Sequence, residues 1–300
     1  ICRLRPQAFV FENVKGLTRS SFANYFQYIL LQLEFPTRPR LPSETWQAHL
    51  ARLQVDKAEG RIHGQDLSYN VSATLVNAAD YGVPQKRERV FLVGFRDDLG
   101  VRWSFPAPTH SADALLADQW LSGAYWKRHA VRPPALTEST EIALRRLSTE
   151  QAELFPRAPW RTVRDALADL PDPRQAEASG IADHAYQPGA RSYPGHTGSR
   201  LDQPAKAIKA GDHGVPGGEN MAVLDDGSLR YFSVRETARI QTFPDGYRFH
   251  GSWSETMRQL GNAVPVVLAR KVAASVAEAL IDAQLRQLPA VREDLARYRA

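Results

Sequence analysis

The sequence predicts a mixed α/β fold, and three observations support this prediction. Residues 9–11 are a short apolar run with the composition of a strand buried on both faces, as in parallel sheets, and residues 90–93 form a second apolar strand. Apolar residues between 22 and 33 recur at helical spacing. Residues 71–77 alternate in the manner of a half-buried strand. We therefore predict that residues 1–98 run strand, helix, strand, turn, strand.

The composition changes after Phe95 and divides the chain. Residues 99–229 are rich in Pro, Ser, Asp, Arg and Ala and carry only short apolar runs, which predicts a separate, irregular domain. Regular patterns return in 230–300, where a long helix is predicted to start near Pro265. We expect 1–98 and 230–300 to form one sheet domain that 99–229 interrupts.

The bulk composition narrows the class of protein. The chain has 300 residues and a net charge of +5, which permits a nucleic-acid partner without identifying one. It has no apolar run long enough to span a membrane and no signal peptide, so a cytoplasmic protein is expected. Cys2 is the single cysteine, so no disulfide forms within the chain, and no metal site is predicted. Because it begins without an initiator Met, we expect the chain to be cut from something longer.

Glu12 and Asn13 end the first apolar run, in the stretch FENVKGL. Gly16 allows a tight turn after them. In open α/β sheets, ligands bind at the carboxyl ends of the strands. The two residues fit a ligand-facing edge, and they fit equally well a strand-end carboxylate that caps a neighbouring helix.

Arg87 and Arg89 begin the second apolar strand, in QKRERVFLVGF. Because side chains alternate along an extended segment, we predict both arginines on one face and Glu88 on the other. One interpretation is an exposed, charged strand end. The other is a pair of guanidinium groups directed at a base carbonyl or at phosphates.

Two further segments lie near the C-terminus. RETARIQTFP predicts an amphipathic helix with Arg235 and Arg239 in a basic stripe, stopped by Pro244. A capped surface helix explains this pattern as well. QLGNAVP predicts a turn at Gly261 and Asn262 that presents polar groups at the start of the next helix.

In combination and in this order, the four segments resemble the C-terminal two-thirds of the bacterial DNA (cytosine-5) methyltransferases. The resemblance covers nearly the whole chain, and the irregular stretch 99–229 matches the family's variable target-recognition domain in place and character. It implies part of the doubly wound sheet of a methyltransferase that uses S-adenosylmethionine. The implied activity is methyl transfer from S-adenosylmethionine to C5 of a cytosine that is flipped out of a specific sequence in double-stranded DNA.

The resemblance also implies roles for the candidate catalytic residues. In this family a cysteine thiolate adds to C6 of cytosine, and electrons move toward N3 and O2. Glu12 is then the carboxyl group near N3, and Arg89 is the guanidinium near O2. Arg87 is expected beside Arg89 in the phosphate or active-site network, and Asn13 is expected to hold the geometry of the loop.

The resemblance further implies contacts with the cofactor and with DNA. Asn262, Ala263 and Val264 match the segment that contacts the cofactor. The sequence departs from the family at Ala207 and Ile208, where a Thr-Leu or Thr-Ile pair is common, and this puts one contact near the flipped base in doubt. The expected DNA-contacting residues are Arg200, Lys206, Lys209, His213, Gln85 and Arg235.

Earlier segments of the family have no counterpart in this sequence. It contains neither a Phe-x-Gly-x-Gly cofactor loop nor a Pro-Cys pair, and Cys2 is expected to pack against a helix rather than to act as the nucleophile. The chain alone is therefore expected not to methylate DNA. Three alternatives stay open: an intact enzyme that has lost its N-terminal part, the C-terminal subunit of a split enzyme completed by a partner chain, or a non-catalytic DNA-binding remnant. A cognate restriction endonuclease is a further expected partner, and the bacterial nucleoid is the expected location.

Overall fold

The structure, a computed structural model, describes residues 1–60, 67–149, 157–175, 180–194, 196–210 and 220–288. Its described part forms two units. The first unit is drawn from Ile1–Val76, Glu88–Pro106 and Lys271–Ala300, and the second from Asn77–Arg87 and Ala107–Arg270. Most of the predicted middle domain, 99–229, therefore lies in the second unit, together with 230–270 and the short stretch Asn77–Arg87.

Short runs of strands and of helices follow one another along the described residues. The strands are β1 Ala8–Val14, β2 Tyr69–Asn77, β3 Glu88–Arg96, β4 His110–Ser111, β5 Ala158–Pro159, β6 Ser199–Arg200, β7 Met221–Val223 and β8 Leu229–Tyr231. The α-helices are α1 Ala23–Glu34, α2 Trp46–Ala58, α3 Ala112–Trp120, α4 Ala124–His129, α5 Glu138–Thr149, α6 Val163–Leu167, α7 Val234–Ile240, α8 Trp253–Asn262 and α9 Val266–Gln287. The prediction of a mixed α/β protein is confirmed.

The first unit contains a three-stranded sheet in the order β1-β3-β2. β1 and β3 are antiparallel, with Val10 opposite Val93 and Glu12 opposite Phe91. Residues 90–95 of β3 are all buried, which is expected of a middle strand that is covered on both faces. The three strands predicted at 9–11, 71–77 and 90–93 are therefore present.

β1 differs from the prediction of a strand that is buried on both faces in a parallel sheet. It pairs antiparallel with β3 and lies at the edge of the described sheet. Phe9 is buried against Gly94 of β3, where an added Cβ would lie 2.2 Å from the Phe9 ring. In contrast, Val10 and Phe11 are 42% and 45% exposed. An apolar run predicts that a strand forms, but the neighbours of that strand decide how much of it is buried.

The first two helices pack against each other in the first unit. Their shared core consists of Tyr28, Leu31, Phe35, Leu50 and Leu53, with Trp46 partly buried at its side. Thr45 caps the start of α2 by accepting a hydrogen bond from Ala48 N at 3.2 Å. The expectation that Cys2 packs against a helix is wrong, because Cys2 is exposed in a turn and its Sγ donates to Pro36 O at 2.9 Å.

The second unit contains the sheet β6-β7-β8, in which β6 and β7 are parallel and β7 and β8 antiparallel. Thr162 and Ser233 begin α6 and α7 with capping boxes that are closed by Asp165 and Glu236. The alternative of a capped surface helix at RETARIQTFP is correct for the cap but not for the surface, because residues 234–238 and Ile240 of α7 are buried. None of the helices in the described part of the chain has both the length and the apolar character needed to cross a bilayer.

Candidate functional site

The candidate catalytic pair lies in the first unit, across β1 and β3. Nε of Arg89 is 2.8 Å from Oε1 of Glu12. The pair is diagonal in the antiparallel register, because Val14 is the residue directly opposite Arg89. The Arg89 and Glu12 side chains are 15% and 24% exposed, so both charges lie in a partly dehydrated position that strengthens their attraction. The sheet thus brings together a carboxylate and a guanidinium that lie 77 positions apart in the sequence.

Arg89 is a fixed positive charge in this position. Burial lowers its pKa, and the charge and hydrogen bond of Glu12 oppose that shift. Since an arginine side chain normally titrates above about 12, it remains protonated at neutral pH. Its NH1 also donates to Glu88 O at 2.8 Å, which helps to fix the direction of the guanidinium.

A second ion pair joins the segments beside Glu12 and Arg89. Nζ of Lys15 lies 2.8 and 2.9 Å from the two carboxylate oxygens of Glu88. Both side chains are about half exposed. Asn13 makes a local contact, in which its Oδ1 accepts a hydrogen bond from Val14 N at 2.8 Å. That contact stiffens the end of β1, and the role of Asn13 in catalysis stays a prediction.

Arg87 has a different environment, in the second unit. It is 2% exposed, and its NH1 and NH2 donate to Ile208 O at 3.0 Å and to Gly261 O at 2.8 Å. Because NH1 and NH2 of Arg87 donate to main-chain carbonyls, they are not directed at a phosphate in this conformation. Arg87 therefore braces two segments of the chain, 205–208 and the end of α8.

Gln85 is also buried, and both the oxygen and the nitrogen of its side-chain amide form hydrogen bonds. Its Oε1 accepts from Ile208 N at 3.0 Å, and its Nε2 donates to Gln241 Oε1 at 3.3 Å. Gln241 in turn donates from Nε2 to Leu260 O at 2.5 Å. Sequence reasoning missed Gln241, because the burial of α7 that makes a hydrogen-bond partner necessary is visible only in the structure.

Asn262, Ala263 and Val264 connect α8 to α9. The prediction of a turn at Gly261 and Asn262 is wrong, because both residues belong to the end of α8, and the backbone becomes extended only at Ala263. The predicted start of the last helix near Pro265 is confirmed by α9. Asn262 is exposed and the next two residues are partly buried, so this segment offers an amide side chain and extended backbone to a polar ligand.

Gly261 allows the end of α8 to approach segment 205–210. An added Cβ at Gly261 would lie 2.4 Å from Ala210 N and 2.5 Å from Lys209 C. Both atoms belong to the main chain, so a side chain at this position has no flexible neighbour to displace. The start of α9 is held by Gln241 O and Thr242 Oγ1, which accept from Val266 N at 3.1 Å and Val267 N at 2.9 Å. Thr242, which sequence reasoning also missed, has a φ of +59°, a conformation that β-branched residues rarely adopt.

The residues expected to contact DNA fall into three groups. Arg200 and Lys209 are exposed, and Lys206 is partly exposed with its Nζ 2.6 Å from Thr197 Oγ1. His213 lies outside the described residues. Gln85 and Arg235 are buried, so neither presents its side chain to DNA in this conformation.

Arg235 illustrates why a cationic side chain need not be on the surface. It is 1% exposed and donates to Ala182 O, Tyr247 O and Asp183 Oδ2 at 3.2, 2.9 and 3.2 Å. These contacts tie the start of α7 to two loops. Among the described residues, no group of three or more His, Cys, Asp or Glu side chains is placed to hold a metal ion.

Comparison with known proteins gives these segments a family. The model of the C-5 cytosine-specific DNA methylase family matches residues 63–278. The type II methyltransferase M.NgoFVII of Neisseria gonorrhoeae is 28% identical over 87% of this chain and 56% of its own length, and M.BsuRI of Bacillus subtilis is 30% identical over 70% of this chain and 42% of its own. Among solved structures, the S. pombe Dnmt2 methyltransferase aligns with 90% of this chain and 64% of that one, with a TM-score of 0.45 and 16% identity. The chain thus spans about half the length of the curated relatives it matches, and it belongs to the C-5 cytosine-specific DNA methylase family.

Proposed function

We propose that this chain is part of an enzyme that transfers a methyl group from S-adenosylmethionine to C5 of cytosine in double-stranded DNA. The observation that carries the proposal is the partly buried ion pair of Glu12 and Arg89, found in a chain of the cytosine methylase family. The mixed α/β architecture agrees with the fold expected of a methyltransferase that uses this cofactor. The relatives named above are themselves type II methyltransferases.

In the proposed chemistry, Glu12 and Arg89 act on the same edge of the cytosine, at N3 and at O2. When a thiolate adds to C6, negative charge develops on N3 and O2 of the cytosine. Glu12, protonated from solvent when the base enters, donates that proton to N3 and is left as the carboxylate that pairs with Arg89, while the guanidinium of Arg89 stabilises the charge on O2. Because the pair is already assembled, little reorganisation is needed when the charge develops. The base reaches these groups only after it leaves the DNA stack, so the proposal includes base flipping.

The cofactor and the DNA are assigned to exposed parts of the second unit. S-Adenosylmethionine supplies the methyl group, and Asn262 contacts it together with the extended backbone of Ala263 and the adjacent Val264. The exposed amide of Asn262 fits this role because it offers both donors and an acceptor. Arg200, Lys206 and Lys209 are proposed as DNA contacts, because exposed cations attract the phosphate backbone.

A second polypeptide segment is proposed to complete the active site. The relatives extend well beyond the matched region, and the Sγ of Cys2, the single cysteine, donates to the carbonyl of Pro36, two residues after the end of α1. Among the described residues β1 is an edge strand, and it exposes Val10, Phe11 and Val14. Such an apolar strand edge is suited to pair with further chain. We infer that this further chain brings the nucleophilic cysteine, either from the same protein or from a partner subunit. From the type II relatives we also infer a cognate restriction endonuclease and action on DNA in the bacterial cytoplasm.

The test is transfer of labelled methyl from S-adenosylmethionine to unmethylated bacteriophage λ DNA. The chain is assayed alone and then mixed with the polypeptide encoded immediately upstream. Transfer only in the mixture is the expected result. Transfer by the chain alone would overturn the proposed need for an external nucleophile. Salt-sensitive DNA binding without transfer in either sample would instead identify a non-catalytic DNA-binding subunit.

A further inference from the structure

The main-chain N–H and the main-chain carbonyl of Ile208 both form hydrogen bonds with side chains of residues 85–87. Its N–H donates to Gln85 Oε1 at 3.0 Å, and its carbonyl accepts from Arg87 NH1 at 3.0 Å. Two main-chain hydrogen bonds bring the same segments together, from Ala205 N to Pro84 O at 2.9 Å and from Lys86 N to Ala205 O at 2.8 Å. The position of segment 205–208 is therefore set by residues 84–87.

The side chains of Gln85 and Arg87 are also connected by hydrogen bonds to the end of α8. Arg87 is connected directly, through NH2 to Gly261 O at 2.8 Å. Gln85 is connected through Gln241, whose Nε2 donates to Leu260 O at 2.5 Å. The two paths end on adjacent carbonyls, immediately before the proposed cofactor-contacting residues Asn262–Val264.

We propose that Gln85 and Gln241 are positioning residues that couple segment 205–208 of the proposed recognition region to the cofactor-contacting segment 262–264. We call the chain of contacts from Ile208 N through Gln85 and Gln241 to Leu260 O the glutamine relay. This inference rests on the proposed function for the identity of the two segments. The contacts that form the relay do not depend on it.

Burial makes the relay sensitive to the loss of either amide. Gln85 and Gln241 are fully buried, so a partner that is left unbonded finds no water to replace the lost hydrogen bond. Gln241 also holds the start of α9, because its main-chain carbonyl accepts from Val266 N at 3.1 Å. A shift of Gln241 is therefore expected to move the end of α8 and the start of α9 together, and residues 262–264 lie at this end of α8 and in the link to α9.

Hydrogen exchange of the full 300-residue chain tests the coupling without requiring activity. Gln85→Met keeps the side-chain length but removes both hydrogen bonds of the amide. We expect amide exchange in peptides 205–210 and 260–268 to accelerate by roughly fivefold to tenfold, which corresponds to about one net hydrogen bond. Faster exchange confined to 205–210 would overturn the proposal, because it would show that the relay does not reach α8.

Gln119→Met is the matched control. Gln119 is also a buried glutamine of the second unit, and its Nε2 donates to Asp202 O at 2.7 Å, outside the relay. This variant loses a buried hydrogen bond of the same kind and is expected to leave 260–268 unchanged. If Gln85→Met does not fold, Gln241→Met gives the reverse test. It leaves the bond from Ile208 N to Gln85 in place, yet exchange at 205–210 is expected to accelerate, and unchanged exchange there would overturn the proposal.

Steady-state kinetics of the completed enzyme then separate positioning from general destabilisation. We expect Gln241→Met to raise KM for S-adenosylmethionine and for λ DNA together by about tenfold, with a smaller change in kcat, while Gln119→Met raises neither. A change in KM for only one substrate would overturn the coupling. If no methyl transfer is found in any sample but exchange spreads along the relay, the proposed function fails and the relay stands.

Discussion

Arg89 and Glu12 face each other diagonally across β3 and β1, with Nε 2.8 Å from Oε1. The two strands are neighbours in the sheet, so the register of the backbone places the two side chains within reach of each other. Loss of either side chain leaves the other charge partly dehydrated and without its partner. The pair therefore contributes both to the folded sheet and to the charge distribution that the proposed reaction uses.

Glu12→Gln is expected to reduce methyl transfer by the completed enzyme by about 10²- to 10⁴-fold, the range for general acid–base groups. The glutamine carbonyl still accepts a hydrogen bond from Arg89, but Arg89 loses its counter-charge, so the free energy of unfolding should fall by less than it would on complete loss of the side chain. The measurement is initial rate with labelled S-adenosylmethionine, together with urea unfolding of the variant.

Glu88→Gln is the control for the loss of a carboxylate in the same sheet. Glu88 pairs with Lys15 in a half-exposed position, where ion pairs contribute little. We expect the methyl-transfer rate of the Glu88→Gln variant to stay within about threefold of that of the unaltered enzyme. Equal losses in both variants would show that net charge, and not the position of Glu12, determines the rate.

The strands and long helices were predictable because their signals are local. Alternation at 71–77, apolar runs at 9–11 and 90–93, and helical spacing between 22 and 33 each depend on residues close in sequence. The burial of β1 was not predictable in the same way. Its exposed Val10 and Phe11 follow from a sheet in which only one neighbour is present among the described residues.

The candidate site was only partly predictable from the sequence. Glu12 and Arg89 were chosen from their motifs, but their contact depends on the antiparallel register of β1 and β3, which no local pattern specifies. Gln85 and Arg235 were expected at the DNA. They are polar residues in polar stretches, and only the tertiary structure supplies the buried partners that make their burial favourable.

Gly261→Ala is expected to destabilise the second unit by about 1–3 kcal/mol or more, as overpacking in a filled interior does. The added Cβ would lie within 2.6 Å of three main-chain atoms of Lys209 and Ala210. The check is urea unfolding followed by circular dichroism. Gly246→Ala is the matched control, because nothing lies within 4 Å of its added Cβ, and a similar loss there would contradict the packing argument.

Thr242→Val is expected to destabilise the chain by about 0.5–2 kcal/mol, the usual range for loss of a helix cap. Valine keeps the shape of the side chain but removes the oxygen that accepts from Val267 N at 2.9 Å. Thr242→Ser retains that oxygen and should stay close to the unaltered chain in urea unfolding. Equal destabilisation by serine and valine would assign the effect to packing instead of to the hydrogen bond.

His49 is expected to make the stability of the first unit depend on pH. Its ring is buried beside α1, with Nδ1 2.9 Å from Tyr28 OH. Burial lowers the pKa of His49 below its usual value of 6.5, the nearby charge of Arg52 lowers it further, and Glu44 opposes the shift. The folded chain therefore favours the neutral ring, while the unfolded chain binds a proton near pH 6.5.

The sign of the effect follows from this difference in proton binding. Above pH 6.5 both states hold a neutral ring, and the full stability is present. As the pH falls from 6.5 toward the lowered pKa of the folded chain, the unfolded state binds more protons and stability decreases. Below the folded pKa, the two states are equally protonated at this residue, and no further loss comes from it.

His49→Gln is the variant that isolates this contribution. Glutamine does not titrate and retains an acceptor for Tyr28 OH. We expect the urea midpoint of the unaltered chain to fall more steeply than that of His49→Gln between pH 7.5 and pH 5, as followed by circular dichroism. Because the other histidines are common to both proteins, their contributions cancel in the comparison. Parallel pH profiles would show that protonation of His49 does not limit the stability of the α1–α2 region.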